Sequence, residues 1–146
     1  MSIVLIAILL AVVVGMAIGT QTLFAGVLGH HIGVMESVFI IHLGGLLASG
    51  AILLFAGGGN LAAWRAAPWY IVAFGGLLGV VIVGGYAYVI PRIGLAPAMT
   101  LAVSAQLILG AVLGHFAWMG AVHQPLSLSR VVGIAILLLG TWLIVR

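Results

Sequence analysis

Two titratable side chains inside apolar stretches are candidates for proton coupling, and the first of them is Glu36, the only acid. It stands about four residues into its stretch, roughly 6 Å along a helix. An acid inside a segment of membrane-spanning length is costly and tends to face the protein interior, so Glu36 is a candidate for substrate contact or proton coupling. The alternative is a first-turn position, where the helix dipole stabilises a carboxylate that is open to headgroup water.

The second titratable side chain is His42, which lies roughly 15 Å along the same stretch and therefore near its middle. An imidazole at the middle of a membrane can carry a proton. The alternative is a neutral histidine that bonds a neighbouring backbone carbonyl. Glu36 and His42 point about 120° apart on a helix, so they do not form one site within it.

Amides and tyrosines in the apolar stretches are weaker candidates for binding a substrate. Gln21 and Gln106 need hydrogen-bond partners away from water, which either a neighbouring helix or a ligand can supply. Tyr86 and Tyr88 diverge by roughly 200° on a helix, so at most one of them lines a cavity. Arg92 follows them, and it either orients an anion, neutralises an acid, or lies at the headgroup level.

The chain offers no pattern typical of a catalytic, metal or nucleotide site. The adjacent His30 and His31 lack thiolate or carboxylate companions, so they do not predict zinc binding. The run Gly57–Gly59 lacks the Lys-Ser/Thr of a phosphate-binding loop. The chain has no Asp for a Ser-His-Asp triad and no Cys for thiol chemistry. The sequence therefore predicts neither an enzyme nor a bound cofactor or metal.

Composition places these candidates in a membrane protein. Apolar residues make up 66% of the chain, charged residues 3%, and the mean hydropathy is +1.50. Charged residues are about a quarter of a typical soluble chain, so a soluble protein of this size could not cover its surface with so few. The net charge of +3 is too dispersed for a nucleic-acid partner, which needs a clustered basic face. The lipid bilayer is the predicted surrounding.

Five apolar stretches are long enough to cross a bilayer core about 30 Å thick. We predict one five-helix transmembrane domain over residues 1–146. Its connections are a turn at Gly29-His30-His31, an interfacial loop from Gly57 to Pro68, a turn at Pro91–Gly94 and a loop from Trp118 to Arg130. Pro97 is predicted to interrupt the fourth span near its start. The predicted spans are 3–28, 32–56, 69–90, 95–116 and 131–145.

The four arginines, which are the only basic residues besides histidine, divide evenly between the two sides of such a bundle. Arg65 and Arg130 share one side, and Arg92 and Arg146 share the other. Membrane proteins place more Lys and Arg in their cytoplasmic loops, and this chain has no excess on either side. We therefore predict insertion in both orientations and an antiparallel assembly. The alternative is a single orientation set by a partner or by the insertion machinery.

Four segments of the second half of the chain carry a family resemblance. They are Val89-Ile90-Pro91-Arg92-Ile93-Gly94, Ala102-Val103-Ser104-Ala105-Gln106, His115-Phe116 and Pro125-Leu126-Ser127-Leu128-Ser129-Arg130. From Tyr86 onward the sequence thus resembles the small five-helix YdcZ-like family of the drug/metabolite transporter (EamA-like) superfamily. Gln21 and the pair Gly44-Gly45 fit as well, and Gly114 departs from the family pattern, which has an acid just before the His-Phe pair.

The resemblance implies an all-α integral membrane protein of the bacterial inner membrane. Its five helices would be one half of a ten-helix inverted-repeat transporter fold. An oppositely oriented second half would complete that fold, most simply an antiparallel copy of the same chain, otherwise a paralogous subunit or a fused domain. The implied function is a subunit of a secondary active transporter that exports a small metabolite or drug-like solute, with proton coupling as an expectation. A small dual-topology ion channel and a non-transporting accessory protein are the alternatives.

Overall fold

A computed structural model describes residues 3–146, and it is helical throughout its regular parts. Two short 3₁₀ helices, Leu61–Ala66 and Trp118–Gly120, lie in the longer connections. All five α-helices are long and apolar enough to cross a membrane, which confirms the predicted number of spans. The α-helices are α1 (Ile3–Ile32), α2 (Val34–Phe55), α3 (Trp69–Ile93), α4 (Leu95–Phe116) and α5 (Leu128–Val145).

The connection between α1 and α2 is a single residue, Gly33, so the predicted turn at Gly29-His30-His31 is wrong. Those three residues continue α1, and the Nδ1 atom of His31 lies 2.8 Å from the Val27 carbonyl oxygen one turn earlier. Gly33 has φ 107° and ψ 154°, a conformation that is essentially restricted to glycine. The chain therefore reverses where the backbone allows it, not where the histidines add polarity.

The predicted turn at Pro91–Gly94 is also wrong, because α3 continues through Pro91 and Arg92 to Ile93. The break comes at Gly94, with φ 88° and ψ 164°. Proline has no N–H to bond the Ala87 carbonyl four residues earlier. That carbonyl faces Gly29 of α1, where an added β-carbon would stand 3.1 Å from its oxygen. The backbone of Gly29 thus lies close to the Ala87 carbonyl, which receives no hydrogen bond from Pro91 within the helix.

Two smaller boundary predictions are also wrong. Pro97 does not interrupt α4, because it lies in the first turn, where a backbone N–H has no helical partner in any case. The fifth helix begins at Leu128, three residues before the predicted start. Ser127 caps it by accepting a hydrogen bond from the Arg130 N–H at 3.4 Å. The predicted loop between Gly57 and Pro68 is present, and it contains the first 3₁₀ helix.

The residues divide into two compact units, of which the first ends at Arg92 and the second is Ile93–Arg146. In the first unit, small residues of α1 allow α3 to approach. An added β-carbon on Gly26 would stand 2.7 Å from the Ile90 side chain, and one on Gly29 would stand 2.8 Å from the Ala87 side chain. The buried Ser37 hydroxyl of α2 donates to the Ala25 carbonyl of α1 at 3.1 Å. Close backbone approach and a hydrogen bond between helices thus replace a large apolar core.

In the second unit, α4 and α5 are joined by a pair of buried hydroxyl groups. The Oγ of Ser104 and the Oγ1 of Thr141 lie 2.7 Å apart, and Thr141 also donates to the Leu137 carbonyl of its own helix at 2.9 Å. The backbone N–H of Gln124 in the connecting loop donates to the Gly114 carbonyl near the end of α4 at 2.8 Å. The organisation as one five-helix domain stays a prediction.

Large apolar side chains are exposed along all five helices, with Phe55 at 93% as an extreme case. Such a surface suits the hydrocarbon core of a bilayer, and it would be an aggregation hazard in water. It also leaves helix faces available for another transmembrane subunit.

Candidate functional site

Gln21 lies on α1, and Tyr86 and Arg92 lie near the end of α3. The other polar candidates lie in three places: the first turn of α2, the contact between α2 and α3, and a groove between α4 and α5. The first two belong to the first compact unit and the third to the second.

Glu36 is the third residue of α2, and its carboxylate folds back against Gly33 at the start of the helix. The side chain is exposed. A carboxylate at this position interacts favourably with the positive end of the helix dipole. The geometry therefore favours the first-turn interpretation of Glu36 over a position deep in a cavity.

Arg92, the expected partner of Glu36, makes other contacts. Its guanidinium donates to the Tyr88 carbonyl oxygen at 2.5 Å and lies 3.5 Å from the centroid of the Tyr88 ring. Residues 3–146 contain no ion pair between Glu36 and Arg92. Tyr86 is buried whereas Tyr88 is 53% exposed, so the two rings diverge and only Tyr88 supports the arginine.

His42 is held in a defined orientation near the middle of α2. Its Nδ1 atom lies 2.8 Å from the Val38 carbonyl oxygen. A carbonyl oxygen can only accept, so Nδ1 carries the hydrogen, and Nε2 of a neutral ring is left as an acceptor. Nε2 points at α3, where an added β-carbon on Gly79 would stand 2.8 Å from it. A half-buried hydrogen-bond acceptor therefore lies between α2 and α3, near the middle of α2.

Gln21 is exposed on α1, and its side chain has no hydrogen-bond partner among the described residues. The adjacent Thr22 is buried and satisfies its own hydroxyl by donating to the Gly19 carbonyl at 2.9 Å. The Gln21 amide is thus free to bond a ligand or another subunit, and it does not join the other polar candidates of the first unit.

Gln106 lines a groove of about 520 Å³ between α4 and α5, which we call the α4–α5 groove. Gln124 of the connecting loop and Arg130 in the first turn of α5 are its other polar residues. The volume lies within the usual range for small-molecule sites. The groove is one place in the second unit where a polar ligand could lie between helices.

Sequence reasoning missed Gln124 and Arg130 as site residues. Arg130 entered only as a charge that sets orientation, and Gln124 was an undistinguished loop residue. The signal that could have found them is their position next to the start of the fifth helix. A polar residue just before or just after a helix start can reach back along the preceding helix.

The two residues that follow Gln124 are bonded to the end of α4 and to the start of α5. The backbone N–H of Leu126 donates to Nδ1 of His115 at 3.3 Å, and one guanidinium N–H of Arg130 donates to the Pro125 carbonyl at 3.2 Å. The rings of His115 and His123 lie 6.5 Å apart. No cluster of three or more metal-binding side chains occurs in the described part of the chain.

Comparison with known proteins gives one match. A protein family described as "Putative inner membrane exporter, YdcZ" matches residues 6–143, which is nearly the whole chain. No curated protein and no solved structure matches.

Proposed function

Since this chain belongs to the YdcZ family of inner membrane exporters and is a multi-pass inner membrane protein, we propose that it is a subunit of a secondary active transporter for a small metabolite or drug-like solute. The observation that carries the proposal is the family match over residues 6–143, together with five helices of membrane-spanning length. The chain offers no catalytic constellation, and an enzymatic role is not part of the proposal.

The proposed assembly is an antiparallel homodimer in which two five-helix halves make a ten-helix pathway. Inverted repeats give a transporter two matching gates, one for each side of the membrane. The even division of the four arginines supports insertion in both orientations. The exposed apolar faces of the helices support it as well, because they leave room for a second transmembrane subunit.

Proton coupling is proposed to run through His42 in preference to Glu36. His42 is half-buried near the middle of α2 and presents Nε2 as an acceptor, whereas Glu36 is exposed in the first turn. Gln21 and Gln106 are the neutral polar candidates for the pathway. Tyr86 and Arg92 are proposed to support the helix end at which they lie.

The absence of cysteine from the sequence allows a direct test of orientation, because a single introduced thiol has no background. Asn60→Cys places that thiol in the exposed loop after α2. Treating intact cells with a membrane-impermeant maleimide should label about half of the molecules, and permeabilised cells should show labelling of the rest. Labelling of all molecules, or of none, from outside would exclude the antiparallel homodimer. Saturable, slow solute exchange in proteoliposomes would then distinguish a carrier from a channel.

A further inference from the structure

Arg130 differs from the other three arginines in its surroundings. Each of the others lies over an aromatic ring close to it in sequence, a contact that stabilises an arginine at a membrane interface. These pairs, with distances from the guanidinium carbon to the ring centroid, are Arg65 with Trp64 (5.9 Å), Arg92 with Tyr88 (3.5 Å) and Arg146 with Trp142 (4.8 Å). Among the described residues Arg130 has no aromatic partner; it bonds the Pro125 carbonyl and lines the α4–α5 groove.

The second unit cannot neutralise Arg130 with a side chain of its own. Residues 93–146 contain neither Asp nor Glu, and the one acid of the chain, Glu36, folds against Gly33 in the first unit. A guanidinium has five N–H donors in a planar fork, which matches the oxygens of an anionic group. The charge at this end of the groove therefore favours an anion from outside the chain.

Gln106 places a second requirement on the occupant of the groove. The hydrogen bond between Ser104 and Thr141 shows that these two residues of the antiparallel helices α4 and α5 lie at the same depth. Counted from them at about 1.5 Å per residue, the backbone of Gln106 lies about 14 Å further toward the middle of the helices than the backbone of Arg130. Its amide has no hydrogen-bond partner among residues 3–146. The acyl chain of a lipid could not supply one at that depth, and an amide without a partner in an apolar environment is costly.

The wall between these two polar points is apolar and open. Leu107, Ile134 and Leu137 line it. Gly110 and Gly133 widen it, since an added β-carbon on either would meet no atom within 4 Å. The groove thus offers an anion-binding mouth at Arg130, an apolar middle and a hydrogen-bonding deep end at Gln106.

We propose that the α4–α5 groove binds a solute with one anionic oxygen group and one neutral hydrogen-bonding group, separated by an apolar segment. Arg130 binds the anionic group, with the Gln124 amide beside it, and Gln106 bonds the distal hydroxyl or amide. As a binding site the groove stands by itself; that the bound solute is what the protein exports rests on the proposed function.

The probe for this site is 10-hydroxydecane-1-sulfonate, which is ionised at all relevant pH values and has both polar ends. Each comparison compound lacks one feature: decane-1-sulfonate lacks the hydroxyl group, and 10-hydroxydecyl-trimethylammonium reverses the charge. Binding is measured by equilibrium dialysis of the protein in phosphatidylcholine nanodiscs, with empty nanodiscs subtracted for partitioning. The wild-type protein should bind the hydroxysulfonate more tightly than either comparison compound.

Two variants test which residue binds each end of the solute. Arg130→Gln should weaken binding of the hydroxysulfonate by roughly tenfold or more, since a hydrogen bond to a charged group is lost. Gln106→Leu should weaken the hydroxysulfonate roughly two- to tenfold and leave decane-1-sulfonate unchanged, because only the neutral hydrogen bond is removed. Arg146→Gln and Asn60→Leu are the matched controls, the second removing an exposed loop amide, and neither should change the affinity. The thermal unfolding midpoint of each variant checks that it is folded.

Several results would overturn the proposal. These are equal binding of the three compounds, equal effects of Arg130→Gln and Arg146→Gln, or displacement of the hydroxysulfonate by phosphatidylglycerol in the nanodisc, which would make a lipid the occupant. Binding of the hydroxysulfonate without saturable flux in proteoliposomes would support the site and contradict the transport function. Saturable export of another solute, with no binding of the hydroxysulfonate, would do the reverse.

Discussion

The Nε2 atom of His42 lies 2.8 Å from the point that a β-carbon on Gly79 would occupy. The hydrogen bond between Nδ1 and the Val38 carbonyl fixes the ring from the other side, so the imidazole is held between its own helix and a bare stretch of α3. Gly79 therefore positions His42 by having no side chain, and the two residues should depend on each other.

Gly79→Ala should displace the His42 ring and destabilise the protein by about 1 kcal/mol, the low end of the cost of inserting a methyl group, because the contact is with the end of a side chain that can turn aside. Gly76→Ala is the matched control on the same helix, because an added β-carbon there meets no atom within 4 Å. Thermal unfolding in detergent should show a lower midpoint for Gly79→Ala only. In a His42→Ala background the two alanine substitutions should become equivalent, and a persistent difference between them would contradict the positioning role.

Gly29→Ala should separate α1 from α3, because an added methyl group would stand 2.8 Å from the Ala87 side chain and 3.1 Å from its carbonyl oxygen. The backbone carbonyl cannot move aside as a flexible side chain can, so we expect a loss of about 1–3 kcal/mol. Gly15→Ala, in an open part of α1, is the control and should change the unfolding midpoint little. Equal midpoints for the two variants would refute the close α1–α3 contact.

The hydroxyl pair of Ser104 and Thr141 should contribute measurably to the α4–α5 contact. Hydrogen bonds between transmembrane helices have coupling energies of about 0.6 kcal/mol on average and up to about 1.7 kcal/mol. A double-mutant cycle with Ser104→Ala and Thr141→Val should give a coupling in this range, measured by reversible unfolding in mixed micelles. Ser49→Ala is the control, since Ser49 bonds only a carbonyl of its own helix. Strict additivity of the two substitutions would argue against the bond.

Small additions of positive charge should decide the orientation of the chain. Ala62→Arg with Ala63→Arg should hold the loop after α2 in the cytosol, and His30→Arg with Ile93→Arg should hold it outside, because arginine-rich loops stay cytosolic. Thiol labelling at Asn60→Cys measures the outcome. Oppositely biased variants carrying different tags should co-purify when expressed together, whereas two copies of one variant should not. Co-purification of identically biased copies would contradict antiparallel pairing.

Removing Glu36 and His42, the two candidates for proton coupling, one at a time should separate their roles. With 10-hydroxydecane-1-sulfonate on one side of proteoliposomes, we expect His42→Ala to abolish substrate-driven proton movement and Glu36→Gln to leave at least half of it. The reason is that His42 presents an acceptor between helices, whereas Glu36 lies exposed at a helix start. A pH-sensitive dye trapped in the vesicles reports the movement. Unchanged proton movement in both variants would remove both residues from coupling.

Apolar length was enough to predict the five spans, and the fourth was predicted to the residue, 95–116. The turns were harder, because polarity and proline suggested breaks at His30-His31 and Pro91 that the helices do not make. A histidine can bond the carbonyl one turn earlier, and a proline near a helix end costs one hydrogen bond. A glycine with positive φ follows each of these helices, Gly33 after α1 and Gly94 after α3, and many other glycines of the chain lie inside helices.

The sequence was enough to predict some of the site residues but not their contacts. Glu36, His42 and Gln106 stand out in the sequence because polar groups inside spans are rare. Their surroundings depend on which helix faces meet, and the five helices are apolar on nearly all sides, so periodicity gives no guidance. The contact of His42 with Gly79, and the joining of Gln106 with Arg130 in one groove, needed the structure.

Gly33 and Gly94 restrict where reporters can be inserted into this protein. Each is the whole connection between two helices and holds a backbone conformation that other residues avoid, so an epitope or protease site at either position would disrupt folding. Insertions are tolerable in the stretch 56–68 and in the exposed part of the second loop before Gln124, since the residues from Gln124 onward bond the ends of α4 and α5. Fluorescent or proteolytic mapping should therefore begin from those two segments.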